Sequence, residues 1–299
     1  MKYSFIAQHK KTWPIGLMCR LLGVCRGGFY HYQKYTVEKP DDPEYQEMVH
    51  WVKKIAEATD DSYGSRRMKK ALNLLGFPVS RNKAKNLMKA AGVKVRHKKK
   101  YKVTTESNHK QPVFENLIQR AFDVEQPDQV YAADVTYIWT QEGWLYLAVV
   151  IDLFSRKVVG WSMSSRMKAQ LVCDALKMAI WRRRPKAGLI HHSDRGSQYA
   201  SKAFRQLLKT HGIKGSIPSS GTEVSRKGDC WDNAVVESFF GSLKQERAQW
   251  RNYQTRYEAQ QDILQYISVF YNNYRLHSTL DYVSPHEYER QFNEMKKVA

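Results

Sequence analysis

The chain has 299 residues, with 49 Lys and Arg against 29 Asp and Glu, a net charge of +20. Such a length accommodates two or more domains and a sizeable core, and the charge favours a polyanionic partner, because a positive field concentrates phosphates. Nucleic acid is the first candidate and a membrane surface the second; the best apolar run, LYLAVVI at 145–151, falls far short of the roughly 18 residues of a spanning helix.

The opening MKYSFIAQHKK has no signal-peptide apolar region, so the chain reads as cytoplasmic. Cys19, Cys25, Cys173 and Cys230 form no CxxC pair and suit reduced thiols. PIGLMCRLLGVCRGGFYHYQ has the outline of a small helix-turn-helix, weakened by Gly27 and Gly28. Three apolar stripes at helical spacing follow: Met48, Val49, Val52 and Ile55, then Met68, Ala71, Leu72 and Leu75, then Ala84, Leu87, Met88 and Ala91. Gly76 closes the second helix, Ser80 caps the third and Gly92 ends it. The short GFPVS turn between them suits a helix-turn-helix, whose second helix directs Arg81, Asn82 and Lys85 at base edges. Fourteen cations and no acid lie between Asp61 and Glu106. Arg66, Arg67, Lys69 and Lys70 among them are the expected phosphate contacts.

From His97 the text turns polar and basic, as in a linker. The period then changes to that of strands: VYAADVTYIWT (130–140), WLYLAVVID (144–152) and KVVGWSM (157–163). A helix over AQLVCDALKMAIWRR, a short strand GLIHH, a helix from Ser201 to about Thr210 and another from about Asn233 complete a β-β-β-α-β-α order. This predicts an α/β mixed sheet with flanking helices. Thr255 with Glu258, and Ser284 with Glu287, start two further helices. Between them YNNYRLHSTLDYVSP suits either packing on the core or DNA contact.

Asp134 lies inside the first strand and Asp194 just after the fourth. If those strands are neighbours, the two carboxylates face each other, and their repulsion calls for a proton or a metal. Oxygen ligands with open positions suit Mg²⁺. A third carboxylate is expected from GDCWDNAVVESFFGSLKQE, with Asp229, Asp232, Glu237 and Glu246 as candidates. Together they would hold two metal ions for phosphoryl displacement. Glu237, one turn inside a helix with Lys244 on nearly the same face, is more rigidly placed than a turn residue such as Asp229. His191, His192, Ser193 and Lys244 are secondary candidates for contacts near DNA, His191 more readily a core residue, and Asp152 reads as a turn residue.

DVTYIWTQEGWLYLAVVIDLFSRKVVGW, HSDRGSQYAS, SRKGDCWDNAVVESFFGSLKQE and YNNYRLHSTLDYVSP, in that order over about 130–285, resemble the transposases of the third insertion-sequence family, as the downstream-frame product. YGSRRMKKAL and the helix after it resemble the helix-turn-helix that precedes that core. The resemblance implies a ribonuclease-H-like fold, a DDE triad on Asp134, Asp194 and Glu237, and Mg²⁺ or Mn²⁺ as a pair of ions. It implies hydrolysis exposing a 3′-OH, then attack of that hydroxyl on a phosphodiester. The implied partners are double-stranded DNA, both terminal inverted repeats and target, with a homo-oligomer on DNA and the upstream-frame product or a fusion to it. Asp194 and Glu237 are separated by 42 residues, more than the family's usual interval, because IPSSGTEV-like text lengthens the loop. The expected division is an N-terminal helical segment (1–43), a helix-turn-helix domain (44–97), a basic linker (98–122), the catalytic core (123–249) and a C-terminal helical extension (250–299). The rival classes are a DNA-binding regulator with an inactive core and a nuclease of ribonuclease-H type.

Overall fold

The segment VYAADVTYIWT sets the frame, buried on both faces over Tyr131, Ala132 and Ala133 and alternating buried and exposed from Thr136 to Thr140. In the computed structural model, which describes residues 1–34, 42–96, 124–194, 196–216 and 234–298, this segment is β1 (Val130–Thr140), the middle strand of a five-stranded sheet. β2 (Gly143–Asp152) and β3 (Val158–Ser164) continue from it as an antiparallel meander. β4 (Ile190–Ser193) and β5 (Lys214–Ser216) add in parallel on its other side, giving the order β3-β2-β1-β4-β5. β5 has no counterpart in the sequence reading, because KGS is too short and polar to announce a strand.

Helices cover both faces, as a sheet of buried parallel and antiparallel strands requires. α7 (Ala169–Arg183) and α8 (Lys202–Thr210) pack Leu171, Leu176, Phe204 and Leu208 with Tyr131, Ala133 and Val150. α7 lies so close that a Cβ on Gly160 would stand 2.2 Å from the Ala175 carbonyl oxygen. On the opposite face α9 (Ala234–Glu246) and α10 (Arg256–Gln265) bring Val236, Phe239, Leu243 and Ile263 onto Ala132, Ile138, Leu147 and Val149. Each such side chain contributes on the order of 1.5–3 kcal/mol on burial. One face of α9 is thereby committed to the sheet.

The region before the sheet is all-helical. α1 (Lys2–His9), α2 (Ile15–Leu21) and α3 (Arg26–Tyr32) enclose Ile6, Met18 and Phe29. α4 (Pro43–Ala58), α5 (Ser65–Leu74) and α6 (Arg81–Ala90) enclose Met48, Val52, Met68, Leu72 and Leu87. Ser80 accepts from Lys83 N at 3.1 Å, and Gly76 takes φ +90° to turn the chain out of α5. Such a cap is worth about 1 kcal/mol.

The C-terminal residues are fastened to the sheet. A π-helical turn, Tyr266–Tyr271, follows α10, and Asn272 pairs through both amide atoms with the Val158 backbone at 3.0 Å. Glu289 on α11 (Pro285–Val298) accepts from Ser155 Oγ, Lys157 Nζ and Arg183 Nη1 at 2.8, 2.7 and 3.0 Å. No helix among the described residues is long and apolar enough to cross a membrane.

Candidate active site

The parallel pairing of β1 and β4 sets Ala133 opposite Ser193. The next residues are Asp134 and Asp194, so the carboxylates leave neighbouring strands, which run about 4.8 Å apart. β4 ends here because Asp194 Oδ1 turns back to accept from Gly196 N at 2.9 Å. A Cβ on Gly196 would lie 2.9 Å from that same oxygen, which explains the glycine. Asp134 Oδ1 accepts from Val135 N at 2.7 Å. Burial and then the neighbouring Asp194 hold the Asp134 carboxyl well above the ordinary carboxylate range, with Glu237 adding to the effect and Lys244 opposing it.

Glu237 stands in the first turn of α9. Val236, Phe239 and Phe240 are buried while Glu237 is exposed, on the side from which its field reaches Asp134. Desolvation raises its own carboxyl. Lys244, two turns along the helix, is half-buried; desolvation lowers its ammonium and Asp134 favours its charge. Among the described residues no three His, Cys, Asp or Glu side chains already converge on a metal-sized space. Glu237 therefore borders the aspartate pair without closing on it. Asp229 and Asp232 lie outside the described residues, whereas Glu246 is saturated. It accepts two bonds from Arg275 Nε at 3.0 and 2.8 Å, one from Arg275 Nη2 at 2.6 Å and one from Tyr266 Oη at 2.8 Å. A carboxylate so bound has no lone pairs left for a metal.

Tyr199 is a residue that sequence reasoning missed. Its hydroxyl is buried without a hydrogen-bond partner among the described residues, and burial, then Asp134 and Asp194, push the phenol well above its usual pKa. Its signal was its place in DRGSQY, one short turn past Asp194. His191 packs on Tyr199 and Phe204, with ring centroids 6.1 and 5.2 Å away. It is a core residue, with neither ring nitrogen hydrogen-bonded among the described residues, and burial drives its pKa down to about 3. His192 Nδ1 lies 3.1 Å from Ser216 Oγ, and Ser193 is buried. Asp152 is fully buried at the end of β2, holding Phe154 N and Asp128 N at 3.0 and 3.1 Å with Arg183 alongside, so its role is to fix the turn.

In the helical region, Arg81, Asn82 and Lys85 are exposed and line one cleft with Ser65, Lys89 and Lys94. Arg66 and Lys70 are also exposed, and Lys69 is half-buried. Arg67 differs from its neighbours. Its Nε donates to Leu276 O at 3.1 Å, its Nη1 lies 3.7 Å from Glu246, and desolvation lowers its pKa. Grouped by sequence with the phosphate contacts, it is instead turned inward because a buried carboxylate is within reach. In YNNYRLH, likewise, Tyr271, Asn272, Arg275 and Leu276 are buried and Tyr274 is exposed, so most of that segment packs on the core.

This strand order, a mixed sheet with helices on both faces, is the architecture of an integrase catalytic core, a ribonuclease-H-like fold. Comparison with known families agrees: an integrase core domain matches residues 124–222, a second integrase core domain 237–292, and an HTH-like domain 44–101. The chain is 39% identical over 292 residues to the transposase InsF for insertion sequence IS3A of Escherichia coli (strain K12), covering 97% of this chain and 99% of that one. It is 40% identical over 279 residues to the insertion element IS600 uncharacterized 31 kDa protein of Shigella sonnei, covering 93% and 99%. Solved structures that it resembles include a simian T-cell lymphotropic virus intasome bound to the PP2A regulatory subunit B56 gamma (TM-score 0.44, 17% identity, 79% of this chain and 73% of that one). The HTLV-2 integrase catalytic core domain in complex with magnesium is another (TM-score 0.41, 17% identity, 55% and 97%). The chain belongs to the IS3 family of transposases, and its function is DNA transposition and integration.

Proposed function

We propose that Asp134, Asp194 and Glu237 are the acidic triad of a DDE transposase that cuts at insertion-sequence ends and joins the exposed 3′-OH to a second phosphodiester. The observation that carries this reading is the pair of half-buried carboxylates side by side, one on β1 and one just past the end of β4, with Asp194 raising the cost of charge on Asp134. An arrangement that costs free energy is retained where a cation repays it. The donors are all carboxylate oxygens, and such a set fits Mg²⁺ or Mn²⁺, two ions with Glu237 as the helix-borne ligand. When bound, the metal activates the attacking oxygen and steadies the leaving one.

The chain's own residues do the rest. The sheet holds Asp134 and Asp194 in fixed register, and α9, anchored through its buried face, presents Glu237 from its exposed side, so the acidic groups meet the scissile phosphate in one geometry. Lys244 lies beside them to neutralise a neighbouring phosphate. In hydrolysis a water oxygen bonds to phosphorus and the P–O3′ bond breaks, freeing the 3′-OH. In joining, that hydroxyl loses its proton, its oxygen bonds to a new phosphorus, and the O3′ on the far side leaves. Arg81, Asn82 and Lys85 read the terminal inverted repeats while Arg66, Lys69 and Lys70 hold phosphates. The upstream-frame product and a homo-oligomer on DNA belong to the same reading. The test is incubation with a labelled inverted-repeat duplex and Mg²⁺. Joined strands are expected; cutting without joining would favour a nuclease, and binding without cutting a regulator.

A further inference from the structure

Beyond Asp134, β1 runs on to the tip of the β1–β2 hairpin, while β4 pairs only with Val130–Ala133. On this stretch three large rings face outward: Tyr137, Trp139 and Trp144 are 48%, 54% and 43% exposed. They form one cluster, with Trp144 edge-on to Tyr137 at 5.0 Å and to Trp139 at 4.8 Å. Three adjoining exposed aromatics are costly in water and mark a binding surface.

The hairpin end that carries them is clamped. Arg256 donates from Nε to Trp144 O at 3.1 Å and from its backbone N to Glu142 Oε2 at 2.9 Å. Gln141 N donates to Tyr253 O at 3.0 Å, and Thr140 Oγ1 to Gly143 O at 2.6 Å. The hairpin backbone that carries the rings is thus held in place before any partner arrives, which lowers the ordering cost of binding.

We propose that Tyr137, Trp139 and Trp144 are a stacking platform for unpaired bases of the DNA strand engaged at the acidic site. Two observations select this occupant. The Lys244 ammonium lies 5.0 Å over the Tyr137 ring while also feeling Asp134, so one cation joins the platform to the carboxylates and suits a phosphate between them. The platform and the acids also share one strand: Tyr137 lies roughly 10 Å and Trp139 roughly 17 Å beyond Asp134 at about 3.3 Å per residue, a span of a few nucleotides, and although these odd offsets turn the rings to the opposite pleat, the β1 edge beyond Ala133 is not covered by β4, so a DNA strand can pass round it. Bases inside a duplex hide their faces, so the platform takes nucleotides freed from pairing next to the cut. It holds the end open while the 3′-OH is repositioned for joining. The proposal rests on the triad reading for the location of the scissile phosphate.

The test uses the full chain and a duplex carrying the element's own terminal inverted repeat, with 2-aminopurine placed in turn at each nucleotide flanking the cleaved phosphate. Emission is read in the Asp134→Asn background, where no cutting intervenes, and joining in the otherwise wild-type chain. One position is expected to be quenched against indole, and Trp139→Ala and Trp144→Ala should release that quench. The same variants should slow joining about 5- to 100-fold, the loss of one base stack, and Trp139→Phe should restore most of it. An abasic nucleotide at the quenched position should bring the wild type down to the Trp139→Ala rate and cost that variant nothing more. Wild-type joining by Trp139→Ala, or the absence of quench at every position while the wild type joins, overturns the platform and leaves the triad standing. Conversely, quench with undiminished joining by Asp134→Asn overturns the triad alone. A change confined to oligomeric state, read by light scattering, would give the aromatic face to a second copy of the chain instead.

Discussion

α9 carries a glutamate at each end, and the two have opposite fates. Glu237, in the first turn, is exposed and hydrogen-bonds to none of the described side chains, and its field reaches Asp134. Glu246, in the last turn, is 5% exposed and bound by Arg275 and Tyr266, with Arg67 of α5 at 3.7 Å. One end of the helix is anchored in a buried ion network that joins the sheet's helical layer, the C-terminal extension and the helical region before the sheet. The other end is left open over the acids. The contrast teaches that a carboxylate's role here follows from its surroundings rather than from its helix: the buried network is what lets the opposite end hold a charged group at an exact height above the strands.

The largest effect expected is at the open end. Glu237→Gln, like Asp134→Asn, should reduce joined product by at least about 100-fold while leaving DNA affinity and the denaturation midpoint near wild type. Normal joining by Glu237→Gln would transfer the role to another carboxylate, and Asp229→Asn, expected to keep most activity, is the control. At the anchored end the order reverses. Glu246→Ala strands the buried Arg275 guanidinium and should cost about 3–5 kcal/mol of stability, measured by chemical denaturation; a loss under about 1 kcal/mol would show that the network is not what fixes α9.

A smaller effect separates the cations of α5. Removing exposed Arg66 or Lys70 should each lower the slope of log affinity against log salt by about 1. Arg67→Ala should instead leave that slope nearly unchanged and lower stability, because its charge is already spent on Glu246 and Leu276 O. Equal slopes for all three variants would undo the distinction.

A further effect, absent at neutral pH and appearing only on acidification, lies beside the same network. Burial first, then Arg275, lowers the His277 imidazole to about 3. The folded chain therefore refuses a proton that the unfolded chain accepts near pH 6.5, so this contribution to stability is complete above that pH and is lost as the pH falls towards 3. His277→Gln should differ from wild type by a constant amount above about pH 7, and the difference should shift in favour of the variant on acidification. A difference independent of pH from 3 to 7 would place the imidazole in contact with water.

What the sequence determined by itself was local. β1 over 130–140 and α7 over 169–183 follow from β-branched periodicity and from an uninterrupted amphipathic run, and Ser80 and Thr255 cap the helices they precede. These are properties of neighbouring residues, which a linear text contains. Asp134 and Asp194 were legible as carboxylates at strand positions, and the family motifs suggested their partnership. Only the tertiary structure decided that β4 lies beside β1, which is what brings residues sixty positions apart to adjacent strands. It likewise decided that Arg67 and Arg275 turn inward, that His191 is core, that Tyr199 lies near the acids, and that three outward rings cluster on the β1–β2 hairpin. A side chain's burial and partners depend on which distant segment covers it, and a buried carboxylate such as Glu246 recruits whatever cation the fold brings near. The spacing of residues along the chain does not carry that information.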